Sequence, residues 1–151
     1  MRRSKTLIPL SHDHHHGLRL AALLKNIDII YENLPNDTRG KIEYTKDAWE
    51  NELNIHFENE EQILFPAVKG KNKEIDSLID ELLVEHVEIK TAIADLNNNS
   101  DAENQLIDLG NKIENHIRKE ERILFDKIQE QFSESELKKI VGEIIPVKKY
   151  C

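Results

Sequence analysis

The sequence predicts an all-α fold: an up-down-up-down four-helix bundle with a short C-terminal fifth helix. Three observations predict it. Apolar residues recur with helical periodicity over four long stretches. Glycine and proline are scarce, with five and four in 151 residues, and β-branched runs are short. One phrase also occurs twice, as His56-Phe-Glu-Asn-Glu60-Glu61-Gln-Ile63-Leu64-Phe65 and as His116-Ile-Arg-Lys-Glu120-Glu121-Arg-Ile123-Leu124-Phe125. Both copies read H-x-x-x-E-E-x-I-L-F, so the second and fourth helices are pseudo-equivalent.

Taken in order, residues 1–10 read as an irregular lead-in. Ser11 is placed to cap a first helix by accepting from first-turn N–H groups. That helix carries Leu20, Leu23, Leu24, Ile27, Ile30, Tyr31 and Leu34 on one stripe, and Pro35-Asn-Asp-Thr ends it. The second helix runs from about Arg39 to Lys69, with Trp49, Leu53, His56, Glu60, Ile63 and Leu64 on its stripe. Pro66 is expected to kink or loosen its last turn. Gly70-Lys-Asn makes a turn. The third helix covers about 73–96 and places Ile79, Leu82, Leu83, His86, Ile89 and Ile93 together. Ser100-Asp-Ala-Glu103 matches a capping box, which opens a fourth helix striped by Leu106, Leu109, Ile113, His116, Glu120, Ile123 and Leu124. Ser133-Glu-Ser-Glu136 matches another, for a fifth helix at about 133–145. The whole of 1–151 reads as a single domain with its bundle core at about 10–130.

Composition excludes several function classes. The net charge of −8 argues against nucleic acid and anionic membrane surfaces as partners. No apolar run approaches the ~18 residues of a membrane span. The basic start Met1-Arg-Arg-Ser-Lys is followed only by Leu7-Ile-Pro-Leu, too short for a secretory core. The single cysteine, Cys151, supports neither a disulfide framework nor a thiolate cluster and reads as inert. A reducing cytoplasm is the expected compartment.

The chemistry lies in the repeat. Residues i and i+4 share a helix face, so each phrase sets an imidazole beside a carboxylate on the apolar stripe. A buried carboxylate must be paired, neutralised or bound to a metal. His86 lies on the third stripe, and His12, His14, His15 and His16 crowd the start of the first helix. All four helices thus bring imidazole to the core. A lone core histidine is ordinarily just hydrogen-bonded, and a lone His/Glu pair is ordinarily a surface pair. Neither accounts for two identical phrases together with a third core histidine. Imidazole and carboxylate without sulfur suit iron or manganese, and two carboxylates in mid-bundle can bridge two ions. Glu61 and Glu121 fall off the stripe and read as solvated. Periodicity extends the first stripe back to His16.

The pattern H…H-x-x-x-E…H…H-x-x-x-E resembles that of hemerythrin-like (HHE cation-binding) domains, from about Leu10 to Phe125. The resemblance implies a four-helix bundle with a non-haem di-iron centre. By position it implies His56, Glu60, His86, His116 and Glu120 as ligands. The family's opening looks like L-x-x-[DE]-H, which matches Leu10-Ser-His-Asp13-His14, and related sequences have a His-His pair there. The resemblance therefore favours His14, then His15, as the first-helix ligand. The chain departs from oxygen-carrying hemerythrins in two places. Lys90 follows His86 where they have a second histidine, and Glu120 stands four residues after His116 where they use an aspartate at five. Reversible oxygen carriage is not expected.

The implied function is a di-iron protein, with manganese or zinc as alternative metals, that binds or senses dioxygen, peroxide or nitric oxide. The alternative is a di-iron oxidoreductase or iron-centre repair factor. That would need a separate electron donor, since the chain has no redox cysteine pair and no flavin fingerprint.

Overall fold

A computed structural model describes residues 2–147; Met1 and residues 148–151, Cys151 among them, lie outside the described residues. Five helices make the fold, and no strand occurs among the described residues. Helix α1 is Ile8–Lys25, α2 covers 38–68, α3 is Lys73–Ala94, α4 covers 102–131 and α5 is Glu134–Val141. The first four form the bundle. α1 lies along α4, α3 packs on α4, α2 completes the ring, and α5 sits on the C-terminal end of α2.

Several boundaries differ from expectation. α1 starts at Ile8 with Pro9 in its first turn, where a missing N–H costs nothing. Ser11 is therefore inside the helix. Leu7 and Leu10 are fully buried, so the lead-in belongs to the core. α1 also ends early, at Lys25. Beyond it Ile27, Ile29 and Ile30 are exposed, Ile30 by 78%. Their helical spacing is fortuitous: β-branched isoleucines and Asp28 are weak helix formers, and among the described residues nothing covers that face. The capping box expected at Ser100 does not form. Asp101 precedes α4 without a side-chain cap. The box at Ser133 does form, with Ser133 and Glu136 satisfying each other's backbone N–H. α5 stops at Val141 because Gly142 takes a left-handed conformation, φ +76°.

The apolar core falls into two blocks. Leu10, Leu64, Leu82 and Leu124 belong to one; Leu20, Phe57, Ile89 and Ile113 belong to the other. Between them lies a buried polar layer of His14, His56, Glu60, His86, His116 and Glu120. Gly110 lets α1 and α4 approach closely, since a Cβ there would stand 2.9 Å from the Ala21 carbonyl oxygen.

Both copies of the repeat contain a wide π turn, Glu60–Leu64 and Glu120–Leu124. The extra residue rotates the remainder of each helix, which corrects the expected stripe. Leu64 and Leu124 are fully buried, whereas Ile123 is 43% exposed. Pro66 is not the cause, because Asp126 stands in its place in the second copy. Such turns recur at functional sites.

Candidate metal centre

The polar layer converges on one point. The four imidazole Nε2 atoms and the carboxylates of Glu60 and Glu120 form two overlapping groups. One is His14, His56, Glu60 and Glu120; the other is Glu60, His86, His116 and Glu120. Within each, the ligand atoms lie within 4.8 Å of one another. Glu60 and Glu120 belong to both. His86 Nε2 is 3.1 Å from Glu60 Oε1, and His116 Nε2 is 2.9 Å from Glu120 Oε2. His56 Nε2 is 3.4 Å from Glu60 Oε2, and His14 Nε2 is 3.8 Å from both carboxylates.

His15, a candidate from the histidine pair, is exposed and joins neither group. A helix that begins at Ile8 turns His14 inward and its successor about a quarter-turn away. His16, which periodicity favoured, lines a separate cavity between α1 and α2.

The other ring nitrogens reveal a feature that helical periodicity does not show. Every Nδ1 faces a carboxylate. His14 meets Glu121 at 2.8 Å, His56 meets Asp13 at 3.0 Å, His86 meets Glu61 at 2.7 Å and His116 meets Glu85 at 2.8 Å. An ionised carboxylate only accepts, so Nδ1 is the donor and Nε2 is left pointing into the layer. Such partners orient metal-binding imidazoles and raise their basicity. Glu61 and Glu121 are thus not simply solvated: each reaches across to the histidine of a neighbouring helix. A sequence signal existed. Leu82-Leu83-Val84-Glu85-His86 repeats the L-x-x-[DE]-H pattern of Leu10–His14.

The inner atoms meet one another as ion pairs but lack aligned hydrogen bonds. His14 Nε2, His56 Nε2, His116 Nε2, Glu60 Oε2 and both oxygens of Glu120 are buried without a hydrogen bond. Each such group costs about 1–3 kcal/mol. Their convergence on one point, with nitrogen and oxygen donors only, fits cations and no packing role.

Electrostatics agree. In the metal-free protein burial works to lower the His56 pKa, but Glu60 and Asp13 outweigh it and push it up to about 10. Glu60 is held well below the usual carboxylate range: burial opposes this, and the His56 charge with the close approach of the His14, His56 and His86 rings overcomes it. His116 is lowered, because burial prevails over Glu85. Glu85 is lowered to about 2 by His116 and Lys119 against a burial penalty.

A family model, the hemerythrin HHE cation binding domain, matches residues 7–128. The chain belongs to this family. No curated protein and no solved structure matches it. For a hemerythrin HHE domain the donor set is coherent, and cation binding follows from family and geometry together. No helix among the described residues is long and apolar enough to cross a membrane.

Proposed function

We propose that the protein is a cytoplasmic, non-haem di-iron protein that meets a small oxidant or diatomic ligand: dioxygen, peroxide or nitric oxide. The carrying observation is two donor groups sharing two carboxylates. His14 and His56 would serve one ion, His86 and His116 the other, with Glu60 and Glu120 between them. Nitrogen and oxygen donors suit iron, with manganese or zinc as the alternatives. Four imidazole nitrogens and two carboxylates fall short of saturating two six-coordinate ions, so positions stay open for a ligand. Bound iron would supply those positions and a change of oxidation state.

The chain's own part is to orient and to exclude water. Asp13, Glu61, Glu85 and Glu121 fix the imidazole tautomers. Phe57 stacks on His86 at 3.8 Å, and Phe125 stacks on His14 at 5.7 Å. A void of about 10 Å³, near the size of one water, touches His14, His56 and His116 and is otherwise walled by residues such as Gly17, Phe57 and Ile117. It is too small for an organic substrate.

The test is metal analysis after iron-replete expression, followed by titration with nitric oxide or peroxide while near-UV absorption is followed. About two irons per chain and a saturable spectral change are expected. Fewer than one iron per chain, or no spectral response to either ligand, sinks the reading.

A further inference from the structure

We infer that the two metal positions are held unequally: the N- and C-terminal segments lock the His14/His56 position, and the His86/His116 position is the one that exchanges its ion. The inference rests on the ligand assignment proposed above and goes beyond it.

The two half-sites are built alike from α1 with α2 and from α3 with α4. An acidic residue precedes the histidine on α1 and α3 (Asp13-His14, Glu85-His86) and serves the histidine of the next helix. The second glutamate of each repeat serves the remaining one. What differs is who holds the four carboxylates. The Val147 N–H donates to Asp13 Oδ1 at 2.9 Å while Asp13 Oδ2 accepts from His56. Both oxygens are occupied, and the side chain is 5% exposed. The strap that brings Val147 there is anchored by Ile144, buried in the core.

Glu121 is held from the other end of the chain. Arg3 donates to Glu121 Oε2 at 3.0 Å and to its carbonyl at 2.8 Å. The guanidinium also reaches Gln129 at 3.1 Å and Asp126 at 3.4 Å, and it lies 5.1 Å over the Phe125 ring. Phe125 in turn stacks on His14. Among the described residues, neither terminal segment reaches the second half-site in this way. Besides His116, Glu85 pairs among the described residues with Lys119, a side chain 28% exposed that also bonds Glu81. Glu61 is 39% exposed. A surface cleft of about 170 Å³ opens on Glu85 and His116. The larger cavity of about 360 Å³ beside Asp13 and His56 does not offset this, because Val147 forms part of its wall and Asp13 has no oxygen to spare.

Oriented partners contribute about 10–100-fold to metal affinity, so a carboxylate that water can take away releases its ion faster. The experiment has two arms on the full chain. In the first, iron-loaded protein is treated with EDTA, and the half-depleted form is crystallised for anomalous scattering at the iron edge. Iron should be missing from the His86/His116 position, having left it about tenfold faster or more. Equal depletion, or loss first beside His14 and His56, overturns the inference. Two variants address the straps. Val147→Pro removes one N–H and keeps the segment; Arg3→Met removes the guanidinium and keeps the stem. Both should speed loss at the His14/His56 position alone, whereas Val147→Ala should not. Unchanged rates in both overturn the role of the straps. The second arm uses metal-free protein, so it survives failure of the iron reading. By NMR, the Nδ1–H protons of His14 and His56 should exchange with water more slowly than those of His86 and His116, and Val147→Pro should abolish the difference at His56. Equal exchange in the parent chain overturns the inference.

Discussion

The half-site of His14 and His56 and the half-site of His86 and His116 use the same local grammar but sit in different surroundings. In both, an imidazole donates from Nδ1 to a carboxylate and presents Nε2 to a shared pair of glutamates. In the first, the carboxylates are held by residues from both ends of the chain, Arg3 and Val147. In the second, they face lysine and water. Carboxylates of neighbouring helices therefore set which ring atom points inward, and the terminal segments set how firmly.

The largest expected effect abolishes the comparison altogether. Glu60→Ala removes a carboxylate common to both groups, so both ions should be lost rather than one. Metal content per chain should fall from about two to below one, a larger loss than the ~10–100-fold that an orienting residue costs. Retention of two irons would show that Glu60 is not shared.

The next effect separates the halves. Asp13→Asn offers His56 an amide that cannot accept on both sides, and competition titration should show metal affinity falling about 10–100-fold. Glu85→Gln should cost less, because water reaches His116 from the cleft beside it. Equal losses would remove the distinction between the half-sites.

A pH series sharpens the contrast further. In the metal-free protein His56 is pushed up to about 10, whereas His116 is lowered. Metal must displace a proton from His56 at neutral pH. Affinity should rise with pH by up to about tenfold per unit until the His56 pKa is passed, and proton release on binding should come from that half. Metal-free stability depends on pH with opposite signs for the two groups. The His56 contribution is fully present below its ordinary 6.5 and is lost as pH rises through about 10. The Glu85 contribution is present above its ordinary 4.5 and is lost as pH falls towards about 2. Melting temperature against pH reads both limbs.

The smallest effects concern the α1–α4 contact beside the first half-site. A Cβ on Gly110 meets a backbone oxygen at 2.9 Å, so Gly110→Ala should destabilise by about 1–3 kcal/mol. A Cβ on Gly17 meets only the end of the Ile117 side chain, at 2.6 Å. That end can move, so Gly17→Ala should be near neutral, with the helix-propensity gain offsetting the shift. Thermal melts distinguish the two.

Much of this was legible in the residues. His56/Glu60 and His116/Glu120 announce themselves because a four-residue step on an apolar stripe puts two polar groups where only partners can keep them. His86 follows from its stripe. Other features were not legible, for identifiable reasons. Glu61 and Glu121 lie off the stripe of their own helices, and their partners, His86 and His14, stand on neighbouring ones. The end of α1 at Lys25 was hidden by Ile27, Ile30 and Leu34, which kept the helical period after the partner face had run out. Leu64 and Leu124 lie on the stripe as expected; that Ile123 turns outward beside Leu124 required the π turn.

By itself the sequence determined the helices, the repeated imidazole–carboxylate steps and the family, because these depend on spacings within one turn of one helix. Tertiary structure alone decided which first-helix histidine faces the core, which carboxylate orients which ring, and how Arg3 and Val147 come to hold two of them. The Arg3 and Val147 contacts join residues more than a hundred positions apart, the carboxylate–ring contacts join different helices, and no local period encodes either; only the way the helices pack brings such atoms within reach.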